Sequence, residues 1–526
     1  MPDRKSDTRP RREPVLSVCL IARNEAERLP ATLGSVGAVA SEIVVVDTGS
    51  TDDTVEVARR YGARVVEKPW RRDFSGARNT SLDAATGDWI LSLDADERLV
   101  EGQTPMLKRL LAGRADAYYV RIRSPLAGRE VGRTFVHRFP RLFRNRPEFR
   151  FRGRVHEQIL PALEAAGARV LTSDLRIEHV GYAVDASQTR EKLRRNLELL
   201  QMDLEDRPDD AYVCYHLGET YALLDEPERA RRAYEAALGI GGLPKEHRAA
   251  AHQNLAAVLL KLGELDPAAT EAETALRVDG GTSLALLVLG SANCRMGRYA
   301  EAVRAVDRYL KRARRASGRA SVLMGFEPDL GQAYLIRGES LFRSGRVQEA
   351  RRDARKAIEE APHLASGRRL MARVLASEGE FGGAAEHLRR AVEMEPGRAE
   401  TWRDLALAHL ESGDPDQALL ALDAGIRQIE QPMLYDCQGL LRIKAGDLRG
   451  AIVSYRRVLE LEPRSSKTHR RLAGLYQKLG DSRRAQEHLA EFDALTERRH
   501  LLPERLPDIS RNERCQGAKV STETCD

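Results

Sequence analysis

The sequence predicts an α/β N-terminal domain on a mostly parallel sheet, followed by an all-α solenoid of helical repeats. Three observations predict it. Up to about residue 185, short apolar β-type runs alternate with helical segments, the texture of βα units. From about residue 206 the strand-like runs stop and small residues recur at near-constant spacing. The chain has 526 residues, room for roughly two to four domains, or for one domain plus an array.

In chain order, residues 15–21 (VLSVCLI) read as a buried strand and 28–39 as a helix. EIVVV at 42–46 is a second strand, 52–61 an amphipathic helix and 64–67 a third short strand. Residues 75–85 are helical and WILSL at 89–93 is a fourth strand. After Asp116 the pattern changes to AYYVRIR and TFVHRFPRLFR, which read as antiparallel additions. Residues 1–14 are basic but lack the apolar run of a signal sequence, and read as a disordered tail. The expected divisions are 15–185 for the α/β domain, 186–205 for a linker helix, 206–499 for the array and 500–526 for a second disordered tail.

In the array, small residues stand at Gly218, Ala256, Gly290, Gly338, Ala372, Ala406, Gly439 and Ala473, spaced 38, 34, 48, 34, 34, 33 and 34 residues apart. A second small position follows twelve residues on, from Ala230 and Ala268 to Ala451 and Ala485. Pro362, Pro396 and Pro463 close three of the units. Such a unit is two helices, with small residues where they approach closely and large apolar ones between units. The pattern resembles the tetratricopeptide repeat, in eight units. The 48-residue step predicts an insertion near residues 311–328. A repeat surface of this kind implies a protein partner, recruited as acceptor or assembly partner, and its ends can also drive homodimerisation.

Charge and composition exclude several classes. The 85 basic and 79 acidic residues give a net +6, too mild for the length to imply nucleic acid. The charge is uneven: between Arg121 and Arg154 there are eleven Arg, no Lys and no Asp. That block suits phosphates or, at most, peripheral attachment to anionic lipid, against a plain solvated surface. No apolar run approaches membrane-spanning length. Six scattered cysteines without a CxxC pair make neither a disulfide framework nor a zinc site, and a cytoplasmic location fits them best.

Chemistry in an open α/β sheet belongs outside the carboxyl ends of its strands. There stand Ala22-Arg23-Asn24-Glu25, Asp47-Thr48-Gly49-Ser50-Thr51-Asp52, and Asp94-Ala95-Asp96-Glu97. Asp94 and Asp96, two carboxylates at i and i+2, suit Mg²⁺ or Mn²⁺ with substrate phosphates completing the shell. The same spacing at Asp414 and Asp416 follows a Gly-Asp-Pro turn and reads as loop chemistry. Asp47 is placed to accept hydrogen bonds from a base or ribose, while Thr51 and Asp52 are given to capping the next helix. GxGxxG is missing after the first strand and GxxxxGK[ST] nearby, which disfavours a nicotinamide or P-loop domain.

LSVCLIARNEAERLPATLGSV, EIVVVDTGSTDDT, DFSGARN and DWILSLDADE resemble the family 2 glycosyltransferases of GT-A fold, over roughly residues 15–185. RLFRN at 141–145, GRVHE at 153–157 and EHVGY at 178–182 are similar to the branch with lipopolysaccharide-core β-glucosyltransferases and SunS-type peptide glycosyltransferases. The resemblance implies inverting, metal-dependent transfer from a nucleotide sugar, by family a UDP-hexose, to a protein, peptide or cell-envelope glycan acceptor. It implies that Asp47 meets the nucleotide base with Glu25 nearby, that Arg78 approaches the diphosphate or sugar, and that Asp94 and Asp96 hold the metal. His156 and His179 are candidates to ligate metal or orient phosphate, with His179 taken as the metal ligand. Glu157 is the candidate general base, against an ion pair with a neighbouring arginine, and Glu97 the runner-up, since the Glu-Asp motif of many members is missing. Arg150, Arg152 and Arg154 are candidate diphosphate or acceptor contacts. The competing expectation is a catalytically silent scaffold working through its repeats.

Overall fold

The computed structural model describes residues 13–125, 134–179, 186–316, 324–326 and 329–501. It divides into two compact units, Met1–Ala361 and Pro362–Asp526. The change of texture near residue 206 is therefore a change of structure type inside the first unit.

The α/β part of that unit runs β1 (Leu16–Ala22), α1 (Leu29–Val36), β2 (Glu42–Asp47), α2 (Thr54–Arg60), β3 (Arg64–Glu67), α3 (Phe74–Ala84), β4 (Trp89–Asp94), β5 (Glu97–Leu99), α4 (Thr104–Leu111), β6 (Ala117–Pro125), β7 (Thr134–Arg144), α5 (Leu160–Ala165) and β8 (Val170–His179). The strands form one sheet of order β3-β2-β1-β4-β7-β6-β8-β5. β3, β2, β1 and β4 are mutually parallel. β7 is antiparallel to β4, and β6 to β7, the additions expected from AYYVRIR and TFVHRFPRLFR. β8 then lies parallel to β6, and short β5 closes the sheet antiparallel to β8.

The apolar strands explain the layering, since a central strand buries both faces. Leu16, Val18 and Leu20 pack with Trp89, Leu91 and Leu93 on one face. Cys19, Val44 and Ile90 pack with Phe143, Phe149 and Phe151 on the other. Every strand end that carries a polar motif is thereby fixed by a buried ribbon behind it.

After α6 (Ala186–Asp206), where the linker helix was expected, come helical hairpins. The first unit holds α7 (Ala211–Leu223) with α8 (Pro227–Ile240), α9 (Lys245–Leu262) with α10 (Leu265–Val278), α11 (Ser283–Arg295) with α12 (Tyr299–Ala316), and α13 (Leu330–Arg343) with α14 (Val347–Glu360). The second holds α15 (Ala365–Ser377) with α16 (Phe381–Met394), α17 (Ala399–Glu411) with α18 (Pro415–Gln428), α19 (Pro432–Lys444) with α20 (Leu448–Leu461), and α21 (Ser466–Lys478) with α22 (Ser482–Leu501). The periodic small residues are what lets each pair close. Ala230, Ala268, Ala302 and Ala350 are fully buried. A Cβ on Gly218 would lie 2.6 Å from the Tyr234 ring, and one on Gly439 2.8 Å from Tyr455. Asp414 caps α18 through a 3.0 Å bond from Gln417 N, the loop role read for it.

The long step in the array contains a strand. β9 (Met324–Phe326) pairs antiparallel with β7, Phe326 opposite Phe135. Among the described residues no helix is long and apolar enough to cross a membrane.

Candidate active site

The loops after β1 and β2 are tied into one surface. Asn24 adopts a left-handed φ of 54°, a region Asn tolerates, and its Oδ1 accepts a 2.8 Å bond from Thr51 N. Ser50 Oγ accepts from Asn24 N at 3.0 Å, and Thr54 Oγ1 from Glu25 N at 2.8 Å. Asp47, at the end of β2, takes Gly49 N and Ser50 N on Oδ2 at 3.0 and 3.1 Å and the Ser50 hydroxyl on Oδ1. Its carboxylate organises the turn that begins at Gly49. The N-cap of α2 is Asp53, without a side-chain capping bond, rather than Thr51 or Asp52. Asp52 accepts from Thr54 N at 3.1 Å and from Ala26 N at 3.2 Å, while Thr51 donates its N–H and its hydroxyl to Asn24 Oδ1 at 2.8 and 3.3 Å. Burial raises the Glu25 carboxyl above its ordinary value, against the lowering by Arg28.

Arg78 is the hub of the site. It projects from α3, whose N-cap Asp73 accepts from Gly76 N at 2.9 Å. The Arg78 guanidinium is buried, with Nε on Glu157 Oε1, Nη2 on Asp94 Oδ1 and Nη1 3.3 Å from Ser92 Oγ. Its Cζ lies 5.6 Å from the Phe151 ring centre. Neighbouring Asn79 pins the same Phe151 through its backbone, accepting from Phe151 N at 2.8 Å and donating to its carbonyl at 3.0 Å.

Asp94 sits between two cations. Its Oδ2 accepts from Arg141 Nη2 at 2.9 Å, and the same nitrogen lies 3.2 Å from Glu97 Oε1. Burial alone would raise the Asp94 carboxyl, but Arg78 and Arg141 outweigh it and hold it well below the usual range. Glu97, 2% exposed, goes the other way. Desolvation lifts it to about 7, Arg141 opposing and Asp94 adding to the rise. Its Oε2 accepts from Asp94 N at 2.9 Å.

Arg141 reaches this place because of a register shift. Tyr118 faces Leu142 and Tyr119 faces Pro140, which leaves Arg141 unmatched in β7. A bulge of this kind re-aims a side chain beside a site. The sequence reading had Arg141 only inside a motif, and nothing in the spacing signals the bulge.

Asp96 and His179 form a second pair, Oδ2 to Nε2 at 3.0 Å, with Ser124 Oγ 3.3 Å from the other ring nitrogen. The pairing of β5 with β8 brings them together, since Glu97 is the register partner of His179. Burial lowers the His179 value but Asp96 more than offsets it, so it is raised. Thus Asp94, Asp96, Glu97, Glu157, Arg78 and His179 are gathered at the strand tips, while Asp47 and Glu25 lie at the adjoining loops. Among the described residues no three His, Cys, Asp or Glu side chains converge as a preformed metal cage.

Other expected residues lie elsewhere. His156, with φ of 52°, turns to the repeats and stacks on His216 of α7, ring centres 4.3 Å apart and 6° from parallel. Burial drives it down to about 3, so it stays neutral. Arg150 pairs with Asp83, and Arg154 with Asp203 and Asp206; both hold the fold. Arg152 pairs through its backbone with Gln158. Of the EHVGY motif, residues 180–182 lie outside the described residues.

Residues 17–161 match the profile of glycosyl transferase family 2. Tetratricopeptide-repeat profiles match 211–240, 254–320, 295–365 and 375–436. A TPR repeat-containing protein of Synechococcus elongatus is 36% identical over 269 residues, 50% of this chain and 66% of that protein. The SPbeta prophage-derived glycosyltransferase SunS of Bacillus subtilis is 29% identical over 231 residues, 43% of this chain and 52% of that protein. The chain thus spans between about half and two thirds of these relatives' length. A tetratricopeptide repeat structure from Parabacteroides merdae aligns over 55% of this chain and 99% of its own, at 14% identity and a TM-score of 0.37.

Proposed function

Residues 17–161 belong to glycosyltransferase family 2, joined to tetratricopeptide repeats, and on that premise we propose that the chain transfers a hexose from a nucleotide sugar, by family a UDP-hexose, to an acceptor hydroxyl or thiol. The observation that carries the reading is the Arg78–Asp94–Arg141 chain of ion pairs at the tip of β4. Two cations held at a strand tip can stabilise charge that develops on a departing diphosphate, in exchange for part of their pairing with Asp94. The Asp47 turn, with Glu25 beside it, is the seat of the nucleoside.

The donor set fits a divalent cation in part. Asp96 Oδ2 and His179 Nε2 stand at the separation bridged by one proton, and both are ligands that Mg²⁺ or Mn²⁺ accepts once deprotonated. Asp94 joins them only by releasing an arginine. Asp94, Asp96 and His179 would hold the ion, which when bound supplies Lewis-acid stabilisation of the leaving diphosphate. Of the two base candidates, Glu97 suits the role better. A base works best with a pKa near the working pH, and Glu157 is committed to Arg78. The repeats recruit the protein, peptide or glycan acceptor, or a partner protein.

The same ion pairs leave the scaffold reading as the alternative, because both Asp94 oxygens are already bonded to arginines. Donor hydrolysis separates the two. UDP-glucose is incubated with Mn²⁺ and the wild type, Asp94→Ala or Asp96→Ala. The transferase reading expects metal-dependent UDP release by the wild type and at least a hundredfold loss in each variant. Wild-type release at the level of the variants, with no UDP binding, leaves the scaffold.

A further inference from the structure

The arginine block of residues 121–154 resolves into two groups. Most of its described members have a partner. Arg141 serves the candidate site. Arg144 lies 4.2 Å from the Trp89 ring centre and donates to Gly113 O at 3.0 Å. Arg146 pairs with Asp116, Arg150 with Asp83 and Arg154 with Asp203. Arg121 and Arg138 differ. They are register partners across β6 and β7, and Arg121 is also the register partner of Arg176 on β8.

Register partners present their side chains to the same face, so three guanidiniums stand in one row across three strands, roughly 5 Å from strand to strand. Like charges directly opposite one another destabilise a sheet. Among the described residues little offsets them. Arg138 approaches Asp174 at 3.7 Å, and that carboxylate is 80% exposed. Arg138 Nε is buried without a hydrogen-bond partner. In the adjoining row Glu178 is taken by Arg98 at 2.6 Å.

The row shares a face with Asp94. Ile90 and Asp94 lie on one face of β4, two pleats apart. Ile90 is the partner of Phe143, and Phe143 of Ala117. Along β6, Arg121 is again two pleats beyond Ala117, in the same direction. Arg121 therefore lies on the same sheet face as Asp94, towards the same end of the strands, with β7 between β4 and β6.

We infer that the row Arg138–Arg121–Arg176 seats a phosphate group carried by the acceptor, beside the transfer site. The inference rests on the reading of the Asp94 cluster as that site. Three guanidiniums less one exposed carboxylate leave two positive charges. A phosphate monoester carries about −1.5 to −2 with three acceptor oxygens, and planar guanidiniums bind it in bidentate fashion. A carboxylate would neutralise half of the row.

Calorimetric titration of the full-length protein tests this with glucose 6-phosphate, glucuronate and glucose as probes. UDP is titrated in parallel to report on the transfer site, and the melting temperature reports on folding. Glucose 6-phosphate should bind the wild type at least tenfold more tightly than glucuronate, with glucose showing no heat. Arg121→Gln, at a half-buried position, and Arg176→Gln, at an exposed one, should each lose at least tenfold in that affinity. Co-sedimentation with vesicles containing phosphatidic acid, lost in both variants, would assign the phosphate to a lipid and uphold the row as its seat. Equal affinity for glucuronate and glucose 6-phosphate, unchanged affinity in both variants, or no binding of either phosphate source would overturn it. Binding of glucose 6-phosphate without any binding of UDP would remove the transfer site and with it the acceptor role.

Discussion

Replacing Arg78 with methionine keeps the buried stem and removes the charge. Asp94 and Glu157 both lose a guanidinium that lies against them inside the protein. Breaking a buried pair by deleting one partner costs about 3–5 kcal/mol, because a charge is left uncompensated. Asp94 keeps Arg141 at 2.9 Å, which argues for the lower end, about 3 kcal/mol. At roughly 2–4 °C per kcal/mol for a large domain, the first unit should melt about 6–12 °C earlier at neutral pH. The pH dependence gives the mechanism away. In the wild type the folded Asp94 value is depressed, so its contribution is present above the unfolded carboxylate value and lost as pH falls through the folded one. In the variant the partly buried Asp94 loses one of its two cations, which raises its folded value. The penalty then belongs to the ionised carboxylate and is relieved as pH falls. Differential scanning fluorimetry at pH 7.5 and pH 5 should therefore show the deficit shrinking at the lower pH. Adding Asp94→Asn to Arg78→Met should recover part of it at pH 7.5. A deficit of the same size at both values, unchanged by the second substitution, would refute the buried ion-pair argument.

Three further outcomes follow from the same structure. Glu97 has a folded value of about 7, raised above its unfolded one, so its contribution is full below about pH 4.3 and is lost as pH rises to 7, on the order of 3 kcal/mol; Glu97→Gln should flatten that part of the stability–pH curve in urea titrations. Gly218→Leu should cost at least 1–3 kcal/mol by overpacking, because its Cβ alone would stand 2.6 Å from Tyr234, whereas Gly239→Ala, in α8 with nothing within 4 Å, should leave the melting temperature unchanged or raise it by a few °C, a gain of up to about 1 kcal/mol. Truncation after residue 205 removes Val213, Leu217 and His216 from their packing on Val155 and His156, together with β9 from the sheet, and should yield insoluble protein, whereas truncation after Ala361 keeps the first unit and should keep UDP binding.

What was legible in the sequence was local. Strand–helix alternation and a strand's length put Asp94 and Asp96 at the tip of β4, and the period of the small residues put Ala230 and Ala268 inside the array, because each follows from neighbours a few residues away. What was not legible depends on pairings across the sheet. Arg141 meets Asp94 only because β7 carries one residue more than β6 at Tyr118, and no spacing reports such an excess. Glu157 is a base candidate whose alternative is an ion pair with a nearby arginine in the chain; the pair it makes is with Arg78, 79 residues away. His156 is, on the resemblance, a candidate to ligate metal or orient phosphate. A left-handed φ turns it instead against His216 on the first repeat. That one residue changes what the array means. Glu157 holds Arg78 while His156 beside it leans on α7, so the first repeat buttresses the loop that positions the hub of the site. The first repeat therefore belongs to the packing of the α/β domain, and the division after Ala361 keeps the two in one compact unit.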